Sequence, residues 1–357
     1  MRVAIRADAS RLIGSGHWVR CLSLAQALRE QAADVVLITR DVPPHLAEQA
    51  AAAGVALLSL PGREDVRTSA EDVFPADAQQ QDIDDLRQAL AGEPRCDWIV
   101  VDHYGLDARW EAQAATLAPH VMAIDDLARV HQCALLLDQN FYLDAGARYD
   151  GRVPADCTLL LGPRFALLRP AFAAARAAVA PRDGPVRRLH IFLGGMDRDN
   201  VTEWVLRAAA GVVPAGVQID VVIGSTHPAR ASIEALVGAW QGARLHVDTP
   251  DMPALLAAAD LAIGAGGTAT WERCVLGVPT LAVCIAENQR ELLGQSARGG
   301  LVCAPDDALA SPEIFAGHLR ALLGNSGLRN HLSRAGLALS DGAGATRVAR
   351  RMKECCV

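Results

Sequence analysis

Short, uninterrupted apolar runs recur along the chain, each separated from the next by a longer, often alanine-rich stretch. The first half holds VAIRAD (3–8), VVLIT (35–39), WIVVD (98–102), VMAID (121–125) and ALLLD (134–138). The second half holds LHIFLGG (189–195), IDVVIG (219–224), ARLHV (243–247), DLAIGAGG (260–267) and PTLAVCI (279–285). Runs of about five residues without polar alternation suit strands buried on both faces, hence parallel sheets covered by helices. Residues 17–31 place Val19, Leu22, Ala25 and Leu28 near helical spacing after the first run. At about 150 residues per domain, the 357 residues predict two domains. The fold class that follows is α/β, with two Rossmann-like, doubly wound domains facing a central cleft. Residues 170–188 carry three prolines and little apolar surface beyond alanine, and read as the crossover. The predicted divisions are 1–172, a linker at 173–188, and 189–357. Residues 328–353 read as a terminal helix interrupted near DGAGA (341–345).

Composition narrows the chemistry. The net charge is −7, which gives nucleic acid and anionic membranes no electrostatic footprint. Lys353 is the single lysine, so a Walker lysine and a Schiff-base lysine are excluded from the body of the chain. Anion binding must then come from arginine, backbone N–H groups or helix N-termini. The nine cysteines contain no C-x-x-C pair and read as reduced, mostly buried thiols. The longest apolar region, 255–286, is broken by Asp260, Glu272 and Arg273 and cannot span a bilayer. MRVAIRAD at the start has no apolar stretch of signal length, and no heptad stripe appears. The expectation is a soluble, cytoplasmic monomer.

Three glycine loops follow strands and open helices. In the first, I-G-S-G-H-W-V-R (13–20), Gly14 and Gly16 permit close backbone approach, and Val19 stands where a dinucleotide fingerprint needs its third glycine. His17 falls on the first helical turn, where the helix dipole favours a neutral imidazole able to act as a base. The alternative is a histidine that only hydrogen-bonds a neighbouring strand. In the second, G-A-G-G-T-A-T-W-E-R (264–273), Gly266, Gly267 and Thr268 offer donors at a helix N-terminus, a diphosphate cradle that needs no lysine. Glu272, read in the first turn of that helix, either accepts ribose hydroxyls or balances the dipole. Asn288 and Gln289 stand where a later strand reaches a polar end, as ligand contacts or turn residues. The third loop, G-G-M-D-R-D-N (194–200), carries Gly195 and a D-x-D pattern; these aspartates read as helix caps rather than metal ligands. Asp102, Asp125 and Asp138 end their strands, the edge where open α/β sheets bind ligands, or cap the next helix. No carboxylate or histidine cluster has metal-ligand spacing, so no metal or cofactor is expected.

Taken in order, RADAS (6–10), IGSGH-xx-RC (13–21), VDHYGL (101–106), IDD (124–126), DQN (138–140), LGPRFALLRPAF (161–172), GGMD (194–197), GAGGTATWERC (264–274) and AENQ (286–289) carry a resemblance. Over roughly residues 1–345 the chain resembles the UDP-2,4-diacetamido-2,4,6-trideoxy-β-L-altropyranose hydrolases of pseudaminic acid biosynthesis. That family is related to spore-coat polysaccharide proteins and, more distantly, to MurG-type glycosyltransferases. The resemblance implies a GT-B fold, UDP held mainly by the C-terminal domain, and loss of UDP by anomeric C–O cleavage with inversion. It places the general base on His17 and further site residues on Tyr104, Glu272 and Asn288. Arg20 of the first motif, Gly195 and Gln289 join the candidate substrate contacts. One departure is the loop GGTATWE, where some relatives carry serines in place of glycines.

The residues can support such a mechanism. UDP is a good leaving group, so the needs are an activated water, stabilisation of diphosphate charge, and orientation. His17 can take the water proton, and attack opposite UDP inverts the anomeric centre. Asp8 either orients His17, binds an acetamido N–H, or serves as a cap; Tyr104 bonds the sugar or water, or packs at the rim. The rivals are a GT-B glycosyltransferase, a hydrolase of a related diacetamido nucleotide sugar, and a non-catalytic nucleotide-sugar binder. The mixed charge of 45–49 and 63–67 speaks against a membrane-facing acceptor site.

Overall fold

The computed structural model describes residues 1–10, 12–63, 67, 69–195 and 197–356. Within the segment 63–67, residues 64–66 lie outside that set, as does Met196 of the GGMD motif.

The chain forms two compact units. The first comprises Met1–Asn140, Asp144–Arg169 and Ala343–Val357; the second comprises Phe141–Leu143 and Pro170–Gly342. The first holds strands β1 (Arg2–Ala7), β2 (Asp34–Thr39), β3 (Ala56–Ser59), β4 (Trp98–Asp102), β5 (His120–Ile124), β6 (Leu135–Asp138) and β7 (Thr158–Leu161). Its helices are α1 (Gly16–Glu30), α2 (Pro44–Ala52), α3 (Ala76–Ala89) and α4 (Ala108–Ala114). The second unit holds β8 (Arg188–Phe192), β9 (Gln218–Ile223), β10 (Ala243–Val247), β11 (Leu261–Ala265) and β12 (Thr280–Val283). Its helices are α5 (Pro170–Arg176), α6 (Val201–Ala210), α7 (Arg230–Ala239), α8 (Met252–Ala258), α9 (Thr268–Val275), α10 (Asn288–Arg298), α11 (Pro312–Gly324) and α12 (Ser326–Leu339). Helix α13 (Gly344–Glu354) belongs to the first unit.

Both sheets are parallel throughout. Their strand orders are β3-β2-β1-β4-β5-β6-β7 and β10-β9-β8-β11-β12. Each order reverses once, between β1 and β4 in the first unit and between β8 and β11 in the second. At such a switch point the two following loops diverge and leave a crevice at the carboxyl edge of the sheet. The two layers of apolar side chains explain the continuous runs. Val3, Ile5, Val100 and Leu137 face α1 and α13, whereas Ala4, Ile99, Val101 and Leu136 face α3 and α4.

Strands β3 and β7 were not expected as elements. Both are four residues long and lie at the edges of the sheet, where Leu160 alone of their eight residues is buried. The last helix also departs from the expected division at 189–357. Met352, Val348 and Ala349 are fully buried against α1 and the first sheet, and Trp98 Nε1 donates to the Met352 carbonyl at 3.2 Å. The interruption at 341–345 is where the chain leaves the second unit: a Cβ on Gly344 would meet the backbone of Phe165 and Ala166 at 2.3–2.6 Å. Part of the expected linker is helical, as α5. No described helix is long and apolar enough to cross a membrane.

Candidate active site

The switch point of the first unit gathers the loops after β1 and β4. Gly14, with φ of 79°, makes the first loop turn back so that its N–H donates to Ser10 O at 2.8 Å. Ser10 Oγ accepts the N–H groups of Leu12 and Ile13 at 3.2 Å. Helix α1 then starts at Gly16, anchored by Trp18, whose Nε1 donates to Leu46 O at 3.3 Å. That start sets His17 and Arg20 one turn apart on the same face, toward the end of β4.

His17 Nδ1 lies 2.5 Å from Asp102 Oδ1. Asp102 is fully buried. Burial works against its charge, but Arg20 and then His17 outweigh it and hold the carboxyl well below the ordinary aspartate range. An ionised carboxylate only accepts, so Nδ1 is the donor, and in the neutral imidazole Nε2 carries the lone pair. Arg20 Nη2, 3.3 Å from the same Nδ1, is a donor and is committed to Asp102 Oδ1 at 2.7 Å. Arg20 Nε reaches Asp102 Oδ2 at 2.6 Å, and Nη1 reaches Asp126 at 2.8 and 3.0 Å. Arg20, expected among the substrate contacts, is therefore engaged elsewhere, with all three of its nitrogens serving the two aspartates. Tyr104 lies edge-on to His17, with ring centroids 4.5 Å apart, and its hydroxyl donates to Asp126 Oδ2 at 2.7 Å. Burial, and next the Asp126 charge, raise the Tyr104 pKa well above its ordinary value, so the phenol stays protonated. Asn140 Nδ2 completes the ring of donors on Asp126 at 3.3 Å.

Asp8 is not part of this constellation. Its carboxylate takes Arg6 Nη1 and Nη2 at 2.6 and 2.8 Å, Thr39 Oγ1 at 3.0 Å and Arg40 N at 2.7 Å, with His103 Nε2 at 3.3 Å. Its neighbour on the strand, Arg6, is fully buried and needs that counter-charge, which is why Asp8 turns away from His17. Asp102 holds the orienting position expected of Asp8. The signal for it was the strand-end aspartate in WIVVD.

In the second unit the loops after β8 and β11 occupy the corresponding switch point. Gly267, with φ of 91°, turns the chain into α9, which has no side-chain cap at its start. Thr268 opens the helix and is half-buried. Gly266 N–H is already used, donating to Gln289 Oε1 at 3.2 Å, so it is not among the loop's open donors. Glu272 is half-buried and sits in the second turn, because α9 starts at Thr268 and holds no acidic residue in its first turn. Dipole compensation at the helix start is thus not its role. Asn288 begins α10 and is exposed. Gly195 O accepts Gly224 N–H at 3.1 Å, tying the third loop to the end of β9. Asp197 caps α6: Oδ1 takes Val201 N at 3.0 Å, and Oδ2 takes Thr202 N at 2.7 Å and Thr202 Oγ1 at 2.5 Å. Among the described residues no histidine, cysteine or carboxylate cluster has the form of a metal site.

Comparison with known proteins bears on the fold and on relatives by sequence. The chain has the GT-B fold: the crystal structure of Acinetobacter baumannii MurG matches it with a TM-score of 0.67 over 99% of each chain, at 14% identity. By sequence it is similar to the UDP-2,4-diacetamido-2,4,6-trideoxy-β-L-altropyranose hydrolase of Campylobacter jejuni, 24% identical over 84% of this chain and 97% of the relative. It is also similar to the spore coat polysaccharide biosynthesis protein SpsG of Bacillus subtilis, 25% identical over 98% of this chain and 96% of the relative. No family model matches.

Proposed function

We propose that the chain is a UDP-sugar-processing enzyme, and specifically a hydrolase that releases UDP from a diacetamido-trideoxy-altrose nucleotide with inversion. The first unit supplies the base and the second the nucleotide cradle. The observation that carries the reading is the 2.5 Å bond between His17 Nδ1 and buried Asp102, which leaves a basic Nε2 at a switch point. The similarity to the Campylobacter hydrolase over nearly its whole length supports the substrate class.

The reaction needs one proton acceptor. Nε2 of His17 takes a proton from water as the water oxygen bonds to the anomeric carbon. The bond from that carbon to the diphosphate oxygen breaks, and the electron pair leaves with UDP. Asp102 stabilises the imidazolium as it forms and keeps Nδ1 as the donor, the same division of labour as in a serine-protease triad. Arg20 and Tyr104 fix the aspartates beneath it. The loop at Gly267 and Thr268 stabilises the departing diphosphate through backbone donors at the start of α9, and Glu272 accepts the ribose hydroxyls. Neither Asp197 oxygen is available to a metal, since both are bonded to α6.

Purified protein incubated with the UDP-sugar in buffer alone tests the reading. UDP release without any acceptor supports hydrolysis; UDP binding with release only on addition of a sugar or lipid acceptor would make the same machinery a glycosyltransferase.

A further inference from the structure

Helix α9 carries a buried arginine that this chemistry leaves unused. Arg273 is 1% exposed. Burial brings its pKa down to about 10, which still leaves it charged at neutral pH. Its hydrogen bonds go to neutral oxygens of its own neighbourhood: Nη2 donates to Ala265 O at 2.6 Å and to Thr270 Oγ1 at 3.2 Å. Nε is buried without an acceptor among the described residues. A buried guanidinium that hydrogen-bonds only neutral oxygens is costly to keep, even with the Glu272 charge nearby. The fold nonetheless makes room for it, because a Cβ on Gly264 would stand 2.4 Å from Nη1.

The carbonyl that Arg273 grips belongs to the same peptide plane as Gly266 N–H. That N–H donates to Gln289 Oε1 at 3.2 Å, and the same oxygen accepts Ile285 N–H at 3.3 Å. Two backbone donors on Oε1 fix the orientation of the Gln289 carboxamide and leave Nε2 as the donor it has to offer. A donor bound to a peptide carbonyl also polarises that peptide's N–H, so the chain of bonds runs from charge to loop to amide.

We infer that Arg273 is a positioning residue for a nucleoside diphosphate: it holds the Ala265–Gly266 peptide, and through it Gln289, in register, and the diphosphate adds negative charge beside a guanidinium whose own hydrogen bonds go to neutral oxygens. This rests on the reading of loop 264–268 as the diphosphate cradle.

Calorimetry with UDP, and NMR titration with uridine as the uncharged probe, test it on wild type, Arg273→Met, Arg273→Lys and Gly264→Ala. The expected result is a Kd for UDP raised about tenfold or more in Arg273→Met, with uridine affinity unchanged. Arg273→Lys recovers part of the loss by restoring the charge without the planar fork. Gly264→Ala, which displaces the guanidinium without removing it, reproduces the loss, and the double variant with Arg273→Met is no weaker than Arg273→Met alone. Equal weakening of UDP and uridine, or unchanged UDP binding in Arg273→Met and Gly264→Ala, overturns the inference while the cradle stands. A wild-type protein that binds no UDP removes the cradle itself, and the role of Arg273 with it.

Discussion

At the scale of single residues, the first unit's site is a set of protons assigned by charge. Asp102 keeps Nδ1–H of His17 pointed inward, and Arg20 keeps Asp102 ionised. Asp102→Asn is isosteric but can present an N–H to His17 and favour the wrong tautomer; kcat is expected to fall by about 10²–10⁴, with a smaller change in KM. Steady-state kinetics on a variant with native circular dichroism checks this. A second assigned proton lies away from the site. His131 Nδ1 is 2.7 Å from Glu111 Oε1, and Nε2 is 3.3 Å from Asp125 Oδ2. Burial opposes its protonation, but the bonds to Asp125 and Glu111 outweigh it and push its pKa up to about 9. A pKa raised on folding contributes stability that is complete below the unfolded value of 6.5 and lost as pH rises through about 9. The melting temperature is therefore expected to fall across that window, and to fall less steeply in His131→Gln. An equal slope in both proteins would assign the loss to other groups.

At the scale of elements, the loops after strands do most of the work, and each has a distinct local solution. Asp197 is a cap with three bonds into the first turn of α6, so Asp197→Ala is expected to cost about 0.5–2 kcal/mol in a denaturant titration. Because its carboxylate is occupied in this way, EDTA is expected to leave the UDP-release rate unchanged. The strands of both sheets were legible as continuous apolar runs, since burial on two faces removes polar alternation from the sequence. The edge strands β3 and β7 were not, because they are not buried on both faces: Leu160 alone of their eight residues is buried, so neither stands out as a continuous buried run. His17 and the glycine loops were also legible, since strand, glycine and helix start are local signals. The choice between Asp8 and Asp102 was not local. It depends on Arg6 at the end of β1, whose buried charge draws Asp8 away, and on the adjacency of β1 and β4, which are about ninety residues apart in sequence. Helix α1 shows the same limit: its apolar positions spread beyond one stripe because the distant α13 covers a second side of it.

At the scale of the whole molecule, the chain builds two parallel sheets, each with one switch point, and returns to the first unit through α13. That return is structural. Val348, Ala349 and Met352 are fully buried there, and Met352→Ala is expected to destabilise the first unit by about 2–5 kcal/mol, read by its chemical denaturation. The proposed hydrolysis is tested most directly by following the UDP-diacetamido-trideoxy-altrose with the protein by NMR, observing UDP and the anomeric proton together, with His17→Ala and His17→Gln alongside. Hydrolysis with His17 as base requires acceptor-independent UDP release, initially inverted free sugar, and a loss of about 10²–10⁴ in rate in both variants. Release that is equally fast in the His17 variants, or that yields retained sugar, would contradict it.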